Sequence, residues 1–382
     1  MKIAIVSPGL APNVTGGIQR HSYCLAKYFA RLDVDIDLYH TDFGEGPFQR
    51  DDLEGMSAGE RARITSLCIK WPEGRRIPGH YIRKMKKFSN AALEVFRKRP
   101  PVDFVYGQGL TAWAFVKARR RGEAVPPVGV NLHGYNMFQP PINSKNRIQN
   151  LMMRPSFGRL ARRADYVFSL GGKLTRLIRD RVNVPHERII QIAGAIDDSW
   201  VVSAPSSVSR RRKFVFVGRF DRVKGIEELH DAMKQNLQWQ KEMDLCLIGP
   251  IPEERRLDLP HVSYLGAVTQ EEQLKLELSA ADVLICPSHS EGMPTVIMEA
   301  MACGLAIIAT DVGAVAELVS SSNGILLNAP SPSEITDAIE RVLSLSRHEL
   351  TNLKLRSLQK SDDFKWSGVA QHTYEEINRV TS

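Results

Sequence analysis

The stretch KFVFVGRFDRVKG, residues 213–225, decides the reading of this chain. KFVFVG is a short, almost wholly apolar run that closes on Gly218, the pattern of a strand buried on both faces, and the residues after it turn into a helix. Such strands belong to parallel α/β sheets, whose ligands bind outside the carboxyl ends of the strands. Gly218 therefore stands at a strand tip, with Arg219 and Lys224 on the turn that follows. A planar guanidinium fork and a compact ammonium beside a helix start suit the two phosphates of a nucleotide diphosphate. Two surface cations at a strand end are the competing reading.

The same unit recurs as DLCLIG, VSYLG, ADVLICPS, LAIIAT and GILLN, with helical stretches between. The first half carries a parallel series: KIAIVS, VDIDLYH, DFVYG, PVGVNLHG, DYVFSL and RIIQIAG, separated by patterns such as GGIQRHSYCLAKYFARL and LTAWAFVKARRR. This alternation predicts an α/β protein of two Rossmann-like, doubly wound parallel-sheet domains facing across a cleft. A chain of 382 residues also exceeds what one core comfortably fills. The polar, Ser-rich segment VVSAPSSVSRRRK lacks periodicity and sets the boundary, giving domains over 1–200 and 201–363. Residues 43–78 show no regular pattern.

Hydrophobic content of 43% and charged content of 25% are those of a folded globular chain. Five cysteines, odd in number and without CxxC spacing, point to a reducing compartment. The apolar run in MKIAIVSPG is too short for a signal-peptide core, so a cytoplasmic protein is expected. The weakly polar run over residues 293–310 carries Glu299 and Gly304 near its middle, which argues against a membrane span. The net charge of +8 is unevenly spread: residues 1–200 hold 32 lysines and arginines against 18 acids, and the remainder holds 19 against 25. A basic first half suits an anionic acceptor or an anionic membrane surface, with RRIPGHYIRKMKK (residues 75–87) as its densest part; a solvated helix face competes.

SEGMPTVIMEAMACG (residues 290–304) places two carboxylates among apolar and small residues. Pro294 reads as the first helical residue and Gly304 as the C-terminal stop, so Glu291 lies on the preceding loop and Glu299 more than a turn inside the helix. A carboxylate there needs donors: ribose hydroxyls for Glu299 and sugar hydroxyls for Glu291, or else a structural arginine or backbone partner. After the first strand, SPGLAPNVTGGIQRH presents Gly16 and Gly17 before a helix, where bare amides can approach a phosphate or sugar. In LHGYN, His133 follows another strand at the same sheet edge.

Three further motifs lead elsewhere. GQGLTA (residues 107–112) has the spacing of a dinucleotide turn, but the next strand ends in His133 instead of an acidic ribose ligand. DVDID (residues 33–37) alternates as a half-buried strand that shows its carboxylates to water. HSE (residues 289–291) lacks the P-C-x-x-C of a zinc deaminase. No cluster has metal-ligand spacing, so no metal and no cofactor are expected, and the chemistry calls for no nucleic acid.

Taken together, GGIQRH, LHG, GRFDRVKG, the Glu291-x(7)-Glu299 spacing, ACGLAIIATDVGAVAELV and the FKW near residue 366 resemble the family-4 retaining glycosyltransferases of the GT-B fold. The resemblance implies a nucleotide diphosphate sugar as co-substrate, with Arg219 and Lys224 on its diphosphate, Glu299 on its ribose and Glu291 on its sugar. It further implies backbone contacts from Gly218 and from Gly292, Met293, Pro294 and Thr295. Gly16 and Gly17 would approach the phosphate, and His133 the sugar near the reacting carbon. The segments around Gly249 (LIGP) and Leu265 (YLGAV) would flank the base. A last helix, about residues 364–382, would return to the first domain. The basic first half predicts an anionic or membrane-embedded acceptor, a glycan, lipid-linked glycan or glycolipid, reached by peripheral contact of residues 75–87 with the inner face of the membrane. Where the family often has an Asn-Gly-Val-Asp-like segment, this chain reads AGAIDD. A nucleotide-sugar epimerase, a non-catalytic nucleotide-sugar binder and a nicotinamide-dependent oxidoreductase stay open beside the transferase.

Overall fold

The computed structural model describes residues 1–11, 16–41, 56–73, 79–141 and 143–382. Two compact units divide the chain: Met1–Leu170, Leu174–Ala193 and Trp366–Ser382 form the first, Gly171–Lys173 and Gly194–Lys365 the second. Residues 194–200, grouped with the first domain in the sequence reading, go with the second unit. They are tied there by backbone bonds such as Ile196 N–H to the Phe364 carbonyl at 2.9 Å.

Among the described residues the first unit carries seven strands, β1 (Lys2–Val6), β2 (Asp35–His40), β3 (Ile64–Cys68), β4 (Phe104–Gln108), β5 (Val128–Asn131), β6 (Tyr166–Ser169) and β7 (Ile189–Gln191), in the order β3-β2-β1-β4-β5-β6-β7. All pairings are parallel. Central strands are covered on both faces, which is why β1 and β4 are nearly continuous apolar runs. The helix Gly17–Arg31 packs in this unit, with Ser22, Leu25 and Phe29 buried along one helical face. The C-terminal helix Trp366–Thr381 packs in the same unit, with the Trp366 ring stacked near Tyr28 at 6.1 Å.

Two expectations change here. β3 is a strand that the sequence pattern did not show, because its residues are only half buried and it sits at the sheet edge. With β3 outside it, β2 is an interior strand, and Asp37 faces no water: it is fully buried and pairs with Lys2 at 3.0 Å and Arg99 at 3.1 Å. Asp33 and Asp35 remain exposed and pair with Arg63. Of the basic run over residues 75–87, residues 75–78 lie outside the described residues, and the remainder opens the helix His80–Phe96.

The second unit carries β8 (Arg212–Val217), β9 (Met243–Ile248), β10 (Val262–Gly266), β11 (Val283–Cys286), β12 (Ala306–Thr310) and β13 (Gly324–Leu327), in the order β10-β9-β8-β11-β12-β13. All six coincide with the apolar runs read from sequence. Its core joins Phe214, Phe216, Leu245, Leu247, Ile285 and Ile308 to the helix Ile226–Gln235 through Leu229 and Met233. The strand order reverses between β8 and β11, so the residues that follow these two strands border the topological switch point. Among the described residues no helix is long and apolar enough to cross a membrane.

Candidate active site

In the second unit, the tips of three strands are bare backbone. Gly218 N–H bonds the Ile248 carbonyl at 2.9 Å, and Gly249 N–H bonds the Gly266 carbonyl at 2.7 Å. Gly249 has φ +146°, and a Cβ there would lie 2.0 Å from the Gly218 carbonyl oxygen. Only glycine fits at that strand tip.

The turn after β8 is then stitched to the loop after β11. Asp221 caps a single 3₁₀ turn, Arg222–Lys224, by accepting the Val223 N–H at 3.0 Å. Gly225 follows at φ +68°, and a Cβ there would come 1.8 Å from the Pro287 carbonyl oxygen. His289 N–H donates to the Val223 carbonyl at 2.8 Å, and its ring meets Glu228 at 2.9 Å. These contacts bring Lys224 Nζ to 2.7 Å from Glu291 Oε1. Burial alone would lower the Lys224 ammonium, but the Glu291 carboxylate outweighs it and holds the lysine above its ordinary value. Arg219 stands free of this clasp, 74% exposed, with Asp221 at 3.4 Å. Beneath the pair lies Cys286; burial, then the Glu291 charge, push its thiol up to about 11, so it is held protonated.

The Glu291 loop is fixed from its other side. Gly313, at φ +58°, would put a Cβ 2.3 Å from the Glu291 carbonyl oxygen and 2.4 Å from that of Gly292. Ala314 N–H bonds the Gly292 carbonyl at 2.8 Å, and the buried Met293 accepts the Gly194 N–H on its sulfur at 3.0 Å. The helix begins at Thr295, one residue later than the sequence suggested, because Pro294 keeps an extended ψ of 121° and stands as the cap. Glu299 is 6% exposed between Ile297, Met298 and Met301, which are fully buried. Gly304 closes the helix at φ +73°. Leu265, on β10, is exposed beside Gly266.

The other candidates belong to the first unit. Gly16 is the residue before the helix Gly17–Arg31 and accepts the Arg20 N–H at 3.0 Å; a Cβ on Gly17 would meet nothing within 4 Å. Residues 12–15 lie outside the described residues. His133 adopts φ +54°, a left-handed conformation rare for a residue with a side chain. Its N–H is held by Asn131 Oδ1 at 2.9 Å, and its Nε2 meets Gln108 Oε1 at 2.7 Å. The His21 ring stands edge-on at 5.2 Å, and Tyr106 OH links to Asn131 at 2.9 Å and His21 at 3.4 Å. Burial pushes the His133 imidazole down to about 4, so it is neutral near pH 7.

Gln108, Tyr106, Asn131 and Gly225 were not singled out from sequence. Their one legible signal is that the first three are polar groups at the ends of apolar runs. The dinucleotide-like GQGLTA turns out to serve packing: a Cβ on Gly107 would lie 2.2 Å from Ala112 Cβ. His289, of the HSE motif, is occupied by Glu228.

Two family models match the chain, Glycosyltransferase Family 4 over residues 15–200 and Glycosyl transferases group 1 over residues 211–345. A glycosyltransferase of Bacillus subtilis (strain 168) named for teichuronic acid biosynthesis is 36% identical over 131 residues, 34% of this chain and 33% of that protein. A 2-deoxystreptamine glucosyltransferase of Streptomyces kanamyceticus is 23% identical over 311 residues, 74% of this chain and 79% of that one. The chain spans less than half the length of the first curated relatives it matches. Among solved structures, sucrose-phosphate synthase from Thermosynechococcus elongatus shares the fold with a TM-score of 0.79 at 18% identity, covering 99% of this chain and 98% of that one. With a parallel α/β unit under each of the two family matches, the chain belongs to the family-4 type glycosyltransferases of the GT-B class.

Proposed function

We propose that this chain moves a sugar from a nucleoside diphosphate sugar to a glycan or lipid-linked glycan, with retention of anomeric configuration, in cell-envelope polysaccharide synthesis. The observation that carries the reading is the Lys224–Glu291 clasp at 2.7 Å, set on bare strand tips at the switch point of the second sheet. The relative from Bacillus subtilis named for teichuronic acid biosynthesis supports the polysaccharide setting.

In the step proposed, the bond between the anomeric carbon and the phosphate oxygen breaks while the acceptor oxygen bonds that carbon on the same face. The acceptor proton passes to the departing phosphate oxygen. Negative charge grows on the diphosphate, and the held Lys224 with the exposed Arg219 are the cations proposed to meet it, so the step is proposed to need no metal. Glu291 orients the sugar hydroxyls and Glu299 the ribose, while Gly218, Gly249 and the backbone of residues 292–295 line the phosphates and sugar, with Leu265 beside the base. Gly16, Gly17 and His133 are proposed substrate contacts contributed by the first unit.

The test is a screen of nucleotide sugars read by released nucleoside diphosphate, with and without chelator, followed by NMR of the product's anomeric centre. Release of nucleoside diphosphate with a retained linkage supports the reading. An inverted product, an altered sugar without transfer, or full activity in both Lys224→Ala and Glu291→Ala overturns it.

A further inference from the structure

The helix Ser144–Arg163 carries a feature that the proposed chemistry does not use. Ile148, Leu151 and Met152 are 62%, 54% and 45% exposed, and Pro155 is exposed as well. Their spacing, i, i+3, i+4 and i+7, lines them up along one side of the helix. Of the residues that bury the helix in the first unit, Asn150, Phe157, Leu160 and Ala161 fall on the opposite side and Gly158 on the flank. Scattered single apolar residues on a surface need no explanation, but a continuous stripe is a contact surface.

What the stripe meets is indicated by charge. The helix holds six lysines and arginines and no carboxylate, and Lys145, Arg147 and Arg159, all exposed, run alongside the apolar side chains. The positive field extends to the neighbouring helices: burial, then the like charges of Arg159 and Lys117, pull the Lys86 ammonium below its ordinary value. A second copy of this chain docking stripe to stripe would set these cations against their own kind. A neutral protein partner would leave them uncompensated. A helix with apolar side chains outward, flanked by long cationic stems, is suited to lie in the plane of an anionic bilayer, the side chains below the headgroups and the cations among them.

We propose that the exposed face of the helix Ser144–Arg163 is a membrane-docking surface that takes anionic phospholipid headgroups, with Ile148, Leu151 and Met152 entering the acyl boundary. This deepens the reading of a lipid-linked acceptor and rests on it only for its purpose, since the binding itself needs no substrate.

The test uses the full chain in co-sedimentation with vesicles of phosphatidylcholine alone and of phosphatidylcholine mixed with phosphatidylglycerol. The expected result is binding to the mixed vesicles that weakens with added salt. Ile148→Gln/Leu151→Gln/Met152→Gln, which keeps helix-forming side chains, is expected to bind at least about tenfold more weakly. Lys145→Gln/Arg147→Gln/Arg159→Gln should lose the preference for anionic vesicles. Melting temperatures and transfer to a water-soluble acceptor should be unchanged in the apolar triple variant, so a failure of docking is distinguishable from a failure of the transferase reading. Equal binding to both vesicle types, no binding by the wild type, undiminished binding by the apolar triple variant, or a dimer in light scattering that this variant dissolves would each overturn the proposal.

Discussion

Lys224 Nζ and Glu291 Oε1 lie 2.7 Å apart although 67 residues separate them in sequence. The lysine side chain is 29% exposed and the glutamate 13%, so the pair is neither solvated enough to be negligible nor sealed away. An incoming diphosphate would compete with Glu291 for the lysine, and sugar hydroxyls would take up the carboxylate. We predict that Lys224→Ala and Glu291→Gln each lower kcat/KM by roughly 100-fold or more, a loss of about 3 kcal/mol in transition-state stabilisation. Because the two groups touch, the double variant should lose far less than the product of the single losses. Strictly multiplicative losses would mean that the two residues act independently.

Gly225 gives a backbone test of the same site. With φ +68° and a Cβ position 1.8 Å from the Pro287 carbonyl oxygen, Gly225→Ala must push the Lys224 turn away from the Glu291 loop. Gly266 has a comparable φ of +75° but open space around its Cβ position. Gly225→Ala is expected to cost about 2–4 kcal/mol in stability, from overpacking added to the left-handed conformation, and Gly266→Ala only about 1–2 kcal/mol. Chemical denaturation of both variants checks this; equal losses would leave the close approach without consequence.

Such pairwise contacts mark where sequence reading ends. The six strands of the second sheet were legible because strands covered on both faces must be apolar, and Gly, Pro or polar residues bound each run. The edge strand β3 is half buried and carries Thr65 and Ser66 among its apolar residues, so no periodicity announced it. Asp37 read as a water-facing carboxylate because nothing in the alternation shows that Lys2 and Arg99 come to cover it. Lys224 and Glu291 were visible as charged residues at strand ends. That Gly225 is what lets them meet depends on Pro287, 62 positions along the chain. Likewise nothing near His133 in sequence points to Gln108, which reaches it from the neighbouring strand.

A second ion pair serves stability. Lys354 and Asp282 are 0% and 1% exposed and meet at 3.1 Å, joining the helix Arg347–Ser361 to the start of β11. Lys354 Nζ also reaches Ser206 Oγ at 3.1 Å and the Ala281 carbonyl at 3.3 Å, while Asp282 Oδ2 accepts the Lys213 N–H at 3.0 Å. Lys354→Met takes the cation away from a buried carboxylate and is expected to destabilise by about 3–5 kcal/mol. Lys354→Met/Asp282→Asn removes both charges and should recover most of that loss in urea denaturation. If the double variant is as unstable as the single, packing around the lysine stem, not charge, is what the pair supplies.

The histidines set the acid limit. Burial pushes His133 down to about 4, and burial followed by the Lys234 charge does the same to His230. Both are neutral in the folded chain, while the unfolded chain takes up their protons below about 6.5. The folded state therefore keeps their full contribution above about pH 6.5 and loses it as the pH falls towards 4, by roughly 2–3 kcal/mol for each. Thermal melts should show a midpoint that declines across that window and is level above it. Gln108→Glu supplies the specific control: a carboxylate would stand at the 2.7 Å position now held by the amide oxygen. An opposite charge that close favours imidazolium, so the His133 titration read by NMR should move up from about 4 to roughly 6–7, while His230 stays where it is. A His133 that titrates near 6.5 in the wild type, or that ignores the new carboxylate, would show that burial and Gln108 do not govern its proton.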